Sequence, residues 1–195
     1  MWQVGVTGGI GSGKSVVCRI LEVMGIPVFA ADQVAKDLLD GTLRHQVIAR
    51  FGPAIYASGR LDRHALADRV FTDPSALKDL NAMVHPAVRA RFREWANEQR
   101  SAYVVMEAAI LVETGAAEQL DHLVVVEAPM ELRIRRVMER DGVARSAVLA
   151  RMASQFSDQE RRAAAGKVIV NDEKRLLLPQ VLELHQAMLK AAGHA

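Results

Sequence analysis

Hydrophobic and polar positions follow two rhythms along the chain. Short apolar runs recur at residues 4–7, 28–31, 103–106, 123–126 and 168–170. Each has strand length and is bounded by turn-forming residues. Between them lie stretches with helical spacing. Val17, Ile20, Leu21 and Met24 recur at i, i+3, i+4 and i+7, which predicts an amphipathic helix beginning near Lys14. Gly25 and Pro27 follow it, as a helix end requires. Strands that alternate with helices predict an α/β fold built on a mainly parallel sheet.

The stretch 35–100 breaks this alternation, because it reads as helices throughout. Asp62 and Asp73 have the chemistry of N-caps, and Pro74 suits a first helical position. Pro86 is expected to end one helix near His85 and to open another, whose core face is Val88, Phe92 and Trp95. The block is too long for a simple crossover and is read as a helical insertion. Residues 108–112 are apolar without an assignable element. A helix is predicted from Pro129 to near Gly142. Two short helices follow, the second opened by a Ser157-x-x-Glu160 capping box, and a last helix runs over 174–190.

The chain has 195 residues, half of them apolar and a quarter charged, with net charge +2. That suits one domain with a sizeable core, and the charge is too small to argue for nucleic acid. Aromatic residues are 5%, which disfavours base-stacking platforms. Cys18 is the one cysteine, so an internal disulfide is excluded and a reducing, cytoplasmic setting is expected. No secretory signal and no apolar run of membrane-spanning length is seen, so no membrane association is expected.

The strongest chemical signal is Gly8-Gly9-Ile10-Gly11-Ser12-Gly13-Lys14-Ser15, which fits G-x-x-x-x-G-K-[ST]. The glycines let successive backbone N–H groups point inward, and a helix N-terminus behind such a nest attracts phosphate. Lys14 brings a positive charge to the β- and γ-phosphates, and Ser15 offers a hydroxyl to Mg2+. A chain of this length meets the pattern by chance about one time in a hundred. Here an apolar strand precedes it and an amphipathic helix follows.

Such loops serve GTPase switches, ATP-driven motors and small kinases. The switch motif D-x-x-G is absent, because no aspartate has glycine three residues on. Guanine reading through [NT]-K-x-D also fails, and motors usually run longer. A small kinase needs an acceptor-binding insertion, an acid near the acceptor hydroxyl and arginines that close over the transferring phosphate. Asp32 ends the second predicted strand, where it is expected to face the loop and to orient or deprotonate a hydroxyl, or else to cap the next helix. Glu107 either assists from behind or simply ends a strand; Glu127 is read as structural. Arg133, Arg136 and Arg140 share one helical face, with Ile134, Val137 and Met138 on the other side. Together with Arg145 and Arg151 they are read as a mobile lid or as ordinary solvated arginines. Asn171-Asp172, ending the last strand, forms a turn or lies near a nucleotide base. Other nucleoside or nucleotide acceptors, or a nucleotide-dependent binding module without transfer, stay open at this level.

The opening Thr7-Gly8-Gly9-Ile10-Gly11-Ser12-Gly13-Lys14-Ser15 resembles the T-G-G-I-G-S-G-K-S of dephospho-CoA kinases. Asp32 falls at the acid of that family's D-A-D segment. Leu80-Asn81-Ala82-Met83-Val84-His85-Pro86 is similar to its L-N-x-x-x-H-P, and Leu111-Val112-Glu113 to its L-L-x-E. Arg140-Asp141-Gly142-Val143 with Arg151 and Gln155 resembles its lid. The resemblance runs from Val4 to about Asn171. It implies a P-loop NTPase fold: a five-stranded parallel sheet flanked by helices, with a helical substrate-binding insertion and a small helical lid. The nucleotide-binding core would be 1–34, 101–138 and 166–195, the CoA-binding insertion 35–100 and the lid 139–165. It implies transfer from ATP, with Mg2+, to the ribose 3′-hydroxyl of dephospho-CoA, by a monomer or homo-oligomer. Asp32, Lys14 and Arg140 would be catalytic. Gly9, Gly11, Ser12, Gly13, Lys14, Ser15, Val16 and Asn171 would hold ATP, and Ser15 the metal. Thr7, Asp32, Arg63, His85 and Leu111 would hold the acceptor. Two departures stand out: Ala30 replaces an aspartate, and Ala109 a proline, that many members carry.

Overall fold

The structure, a computed structural model, describes residues 1–193. By internal contact the chain forms two units, one made of Met1–Ala30 with everything from Ala96 onward, the other of Ala31–Trp95.

In the first unit, five parallel strands form a sheet: β1 (Trp2–Thr7), β2 (Val28–Ala30), β3 (Tyr103–Glu107), β4 (His122–Glu127) and β5 (Lys167–Val170), in the order β2-β3-β1-β4-β5. The central strands are nearly unbroken apolar runs because a parallel sheet is covered on both faces. On one face, Val4, Val6, Tyr103, Val105, Val124 and Val126 pack against Val17 and Leu21 of α1 (Lys14–Val23). They also meet Val181, Leu184 and Met188 of α9 (Leu177–Ala191). On the other face Gly5 makes room. A Cβ there would stand 2.7 Å from Leu120 Cδ1 and 2.9 Å from Leu111 Cδ1, so these leucines of the 108–121 segment cover β1. Residues 108–112, which the sequence left unassigned, lead into turns, and a short 3-10 helix follows at Ala116–Gln119.

Strands β4 and β5 are joined by three helices: α6 (Met130–Asp141), α7 (Arg145–Ala153) and α8 (Asp158–Ala164). The predicted capping box is present: Glu160 N–H donates to Ser157 Oγ, and the Ser157 N–H donates to Glu160 Oε2. Ile134 and Val137 pack with Val148, but Met138, expected with them, is exposed. The last helix begins at Leu177 rather than near 174. Asp172 Oδ1 accepts the Lys174 and Arg175 N–H groups, which makes those residues a turn ahead of the helix.

The second unit holds α2 (Ala31–Asp40), α3 (Arg44–Phe51) and α4 (Arg63–Thr72) around Val47, Phe51, Ile55, Leu66 and Val70. Asp62 caps α4 through the His64 and Ala65 N–H groups, and Asp73 accepts from Ser75 N–H at the start of α5 (Pro74–Glu98), as predicted. The expected break at Pro86 does not occur: α5 runs from Pro74 to Glu98 with Pro86 inside it. The proline removes one helical hydrogen bond. Met83 and Val84 before it and Ala87 after it all pack on the same cluster, so burial holds both halves on one axis.

Candidate active site

Strand β1 delivers the chain into the phosphate loop at the C-terminal edge of the sheet. Gly11 and Gly13 have φ of +77° and +94°, which side-chain-bearing residues rarely adopt. Gly13 is also the N-cap residue of α1. These angles turn the loop amides toward one side. Two are already bonded inside the protein: Ser12 N–H to Gly9 O (3.1 Å) and Ile10 N–H to Gln155 Oε1 (2.9 Å). Among the described residues, the N–H groups of Gly11, Gly13 and Ser15 have no such partner. Unpaired donors at a helix N-terminus fit a phosphate group, which supplies the missing acceptors and meets the favourable end of the helix dipole. Lys14 Nζ lies over the loop, donating to Gly8 O at 2.9 Å.

The structure brings Gly9, Gly11, Ser12, Gly13, Lys14 and Asn171 together. Asn171 directly follows β5; its N–H donates to Glu127 O at 2.7 Å and its Nδ2 to Ser12 O at 2.9 Å. That amide fills the space beside Gly13, where a Cβ would come within 2.1 Å of Nδ2. Ser15 and Val16 stand exposed in the first turn of α1, so the Ser15 hydroxyl is open to a cation. Thr7 and Ser12 are fully buried, and both hydroxyls lack a hydrogen-bond partner in the protein. Leu111 is buried against β1 rather than presented on a surface. Glu107 closes β3 between Val6 of β1 and Ala30 of β2.

Arg140 is not joined to this group. It is exposed and donates from Nε and Nη2 to Asp141, its neighbour, which also accepts from Arg151. Hydrogen bonds from Arg140, and then Arg151, hold the Asp141 carboxyl below the usual carboxylate range.

In the second unit, Asp32 lies in the first turn of α2, one residue inside the helix rather than at the N-cap position. Arg63 opens α4 and pairs loosely with Asp40 at 3.4 Å. His85 sits mid-helix in α5; partial burial, helped by the nearby Arg89 charge, keeps its pKa below the ordinary value.

Two arginines that the sequence placed in an exposed face or passed over are buried. Arg133 is 3% exposed and Arg161 2%. Arg133 Nε donates to Ile10 O at 2.9 Å, and both Arg133 Nη1 and Arg161 Nη2 donate to Asp158. A trace of this exists in the sequence, since Arg133 falls beside Ile134 and four residues before Val137, on the buried side of α6. Arg136 reaches the loop as well, its Nη1 donating to Gly11 O at 3.5 Å and to Asn171 O at 3.3 Å. Glu127 accepts from Nε and Nη2 of Arg162, one on each carboxylate oxygen. A separate cavity of about 560 Å³ lies beside the ends of β4 and β5, lined by Glu127, Arg162 and Asp172 among others, and no residue of the phosphate loop lines it.

With this geometry in hand, comparison with known proteins is specific. The sequence model described as dephospho-CoA kinase matches residues 2–176. A dephospho-CoA kinase of Methylococcus capsulatus is 45% identical over 174 residues, covering 88% of each chain. One of Bacteroides fragilis is 39% identical over 185 residues, covering 93% of this chain and 90% of the relative. Among solved structures, the dephospho-CoA kinase from Campylobacter jejuni superposes with a TM-score of 0.69 at 27% identity, covering 97% of this chain and 98% of that one. A glycine-lined phosphate nest at the edge of a five-stranded parallel sheet, with family likeness over nearly the whole length, places this chain in the dephospho-CoA kinase family.

Proposed function

We propose that the chain transfers the γ-phosphate of ATP to the 3′-hydroxyl of the ribose of dephospho-CoA, giving coenzyme A and ADP. The observation that carries the reading is the set of unpaired amides at Gly11, Gly13 and Ser15 beneath Lys14, in a chain of this family. Those amides bind the β- and γ-phosphates, and Lys14 neutralises the charge that spreads over the transferred group. Its bond to Gly8 O is exchanged for phosphate oxygens. Magnesium, held with the help of Ser15, would supply further charge neutralisation between the phosphates. Val16 and Asn171 bound the nucleotide, Asn171 by fixing the loop where α1 begins.

Asp32 orients the acceptor hydroxyl and draws its proton. It stands in the first turn of α2, directly after β2. Arg63 and His85 belong to the helical insertion, 35–100, that holds the CoA end, with Thr7 and the turn anchored by Leu111 on the core side. Residues 139–165 form the lid, from which Arg140 leaves Asp141 for the phosphates and helps exclude water. Among the described residues no helix is long and apolar enough to cross a membrane, which suits a cytoplasmic enzyme acting on small molecules.

The test is formation of coenzyme A and ADP from ATP and dephospho-CoA, with Asp32→Asn alongside. The wild-type chain should form both products, and Asp32→Asn should abolish most turnover while ATP affinity stays near normal. Bound ATP with no coenzyme A formed would defeat the acceptor assignment; an active Asp32→Asn would defeat the assignment of the acid.

A further inference from the structure

The Gly9–Ile10 strap of the phosphate loop is held from outside by groups that come from two different places in the chain. The Ile10 backbone is engaged on both sides of its Cα: its N–H donates to Gln155 Oε1 and its carbonyl accepts from Arg133 Nε, each at 2.9 Å. Gly9 completes the contact. A Cβ there would fall 2.0 Å from Arg133 Nη2 and 2.9 Å from Arg161 Nη2, so the guanidinium of Arg133 occupies the side-chain position that Gly9 leaves empty.

Both holding groups are themselves fixed. Arg133 Nη1 donates to the Asp158 carboxylate at 2.8 and 3.1 Å, and Arg161 Nη2 donates to the same carboxylate at 2.7 Å. Gln155 is placed by its neighbour Phe156, whose N–H donates to Glu113 Oε1 at 3.1 Å and whose carbonyl accepts from Arg161 Nη1. Arg161 also meets Glu113 at 3.5 Å. Two arginines and two carboxylates thus balance in charge, and the bonds close a ring from Ile10 through Gln155, Phe156, Arg161, Asp158 and Arg133 back to Ile10. Arg133 and Arg161 are almost fully buried, so these bonds are shielded from competing water.

We infer that Gln155 and Arg133 are positioning residues that act as one clamp on the backbone of Ile10. The clamp commits the Ile10 N–H away from the nucleotide and fixes the path of the strap, so that the amides of Gly11, Gly13 and Ser15 are preset for phosphate. It also ties the segment between α7 and α8 to the loop, so the two keep one geometry. The inference rests on the phosphate-binding reading of the loop and adds to it which side chains outside the motif make the nest rigid. A preset nest binds ATP without first ordering the strap, whereas an unclamped one has to meet that ordering cost on binding.

The experiment uses the full chain and three variants, Gln155→Met, Arg133→Lys and the double variant, with amide hydrogen exchange, ATP titration and steady-state kinetics read on each. Gln155→Met keeps the shape and removes the acceptor. It should speed exchange of the Ile10 amide by at least about tenfold and raise the ATP dissociation constant and KM by about two- to tenfold, with kcat little changed. Gln155→Glu, which keeps an oxygen at that place, should restore protection of the Ile10 amide. The double variant should weaken ATP by less than the product of the single effects, because both act on the backbone of one residue. Unchanged Ile10 exchange in Gln155→Met would overturn the inference. So would single effects that multiply independently, or ATP affinities that simply track thermal stability across the set. A wild type that binds ATP yet forms no coenzyme A would sink the acceptor assignment and leave the exchange and affinity readouts standing as the test of the clamp.

Discussion

Arg133 and Arg140 lie two turns apart on α6, one in its first turn and one in its last. Arg133 is 3% exposed, and its guanidinium is divided between the phosphate loop and Asp158. The Arg140 side chain is 63% exposed and is parked on Asp141. The same residue type therefore does two jobs on one helix. A buried guanidinium bonded to a carbonyl and a carboxylate is a fixed structural part, since moving it would strand charge in the interior. An exposed one paired to a neighbouring carboxylate is weakly held and free to exchange partners, because water and salt compete for both ions. What separates a fixed arginine from an exchangeable one is thus burial along a single helix, not composition.

The largest effect that bears on this contrast is at the loop itself. Lys14→Ala should lower kcat/KM for coenzyme A formation on the order of a thousandfold, since a charge directed at the transferred phosphate is lost. Next comes the contrast proper. Arg133→Met should lower the unfolding free energy by about 2–3 kcal/mol in urea titration, because Ile10 O loses its donor and half-exposed Asp158 loses a partner. Arg140→Ala should change stability by no more than about 0.5 kcal/mol, while turnover falls on the order of a hundredfold. Equal stability losses from the two substitutions would erase the distinction between fixed and mobile arginines.

The smallest expected effect is on pH dependence. Burial pushes the pKa of both His85 and His122 below the ordinary 6.5. The unfolded chain then binds more protons than the folded one as pH falls through 6.5, so stability is flat above about pH 7 and declines on the acid side. His122→Gln should make that decline shallower in urea titrations at several pH values. An unchanged slope would mean that other groups set it.

Much of the loop was legible because its signal is local. Gly11, Gly13, Lys14 and Ser15 are adjacent in sequence, and their backbone requirements can be read from residue type. The strands and the caps at Asp62, Asp73 and Ser157 were legible for the same reason. The Pro86 break was misread because a tertiary cluster, Met83, Val84 and Ala87 packed together, outweighed a local rule. The start of α9 was misplaced because the Asp172 side chain competes for two backbone amides. The buried arginines were hidden for a different reason. Arg133 and Gln155 meet at Ile10 from separations of more than a hundred residues, and no periodicity encodes that meeting.

The central claim is that the unpaired amides of the glycine loop receive the phosphates of ATP. The most direct measurement is an amide-resolved NMR titration of the full chain with ATP and magnesium. The N–H signals of Gly11, Gly13 and Ser15 should shift together and saturate with one dissociation constant, the one that governs turnover. If ATP saturates the protein while those three signals stay where they began, the nucleotide binds elsewhere and the account fails.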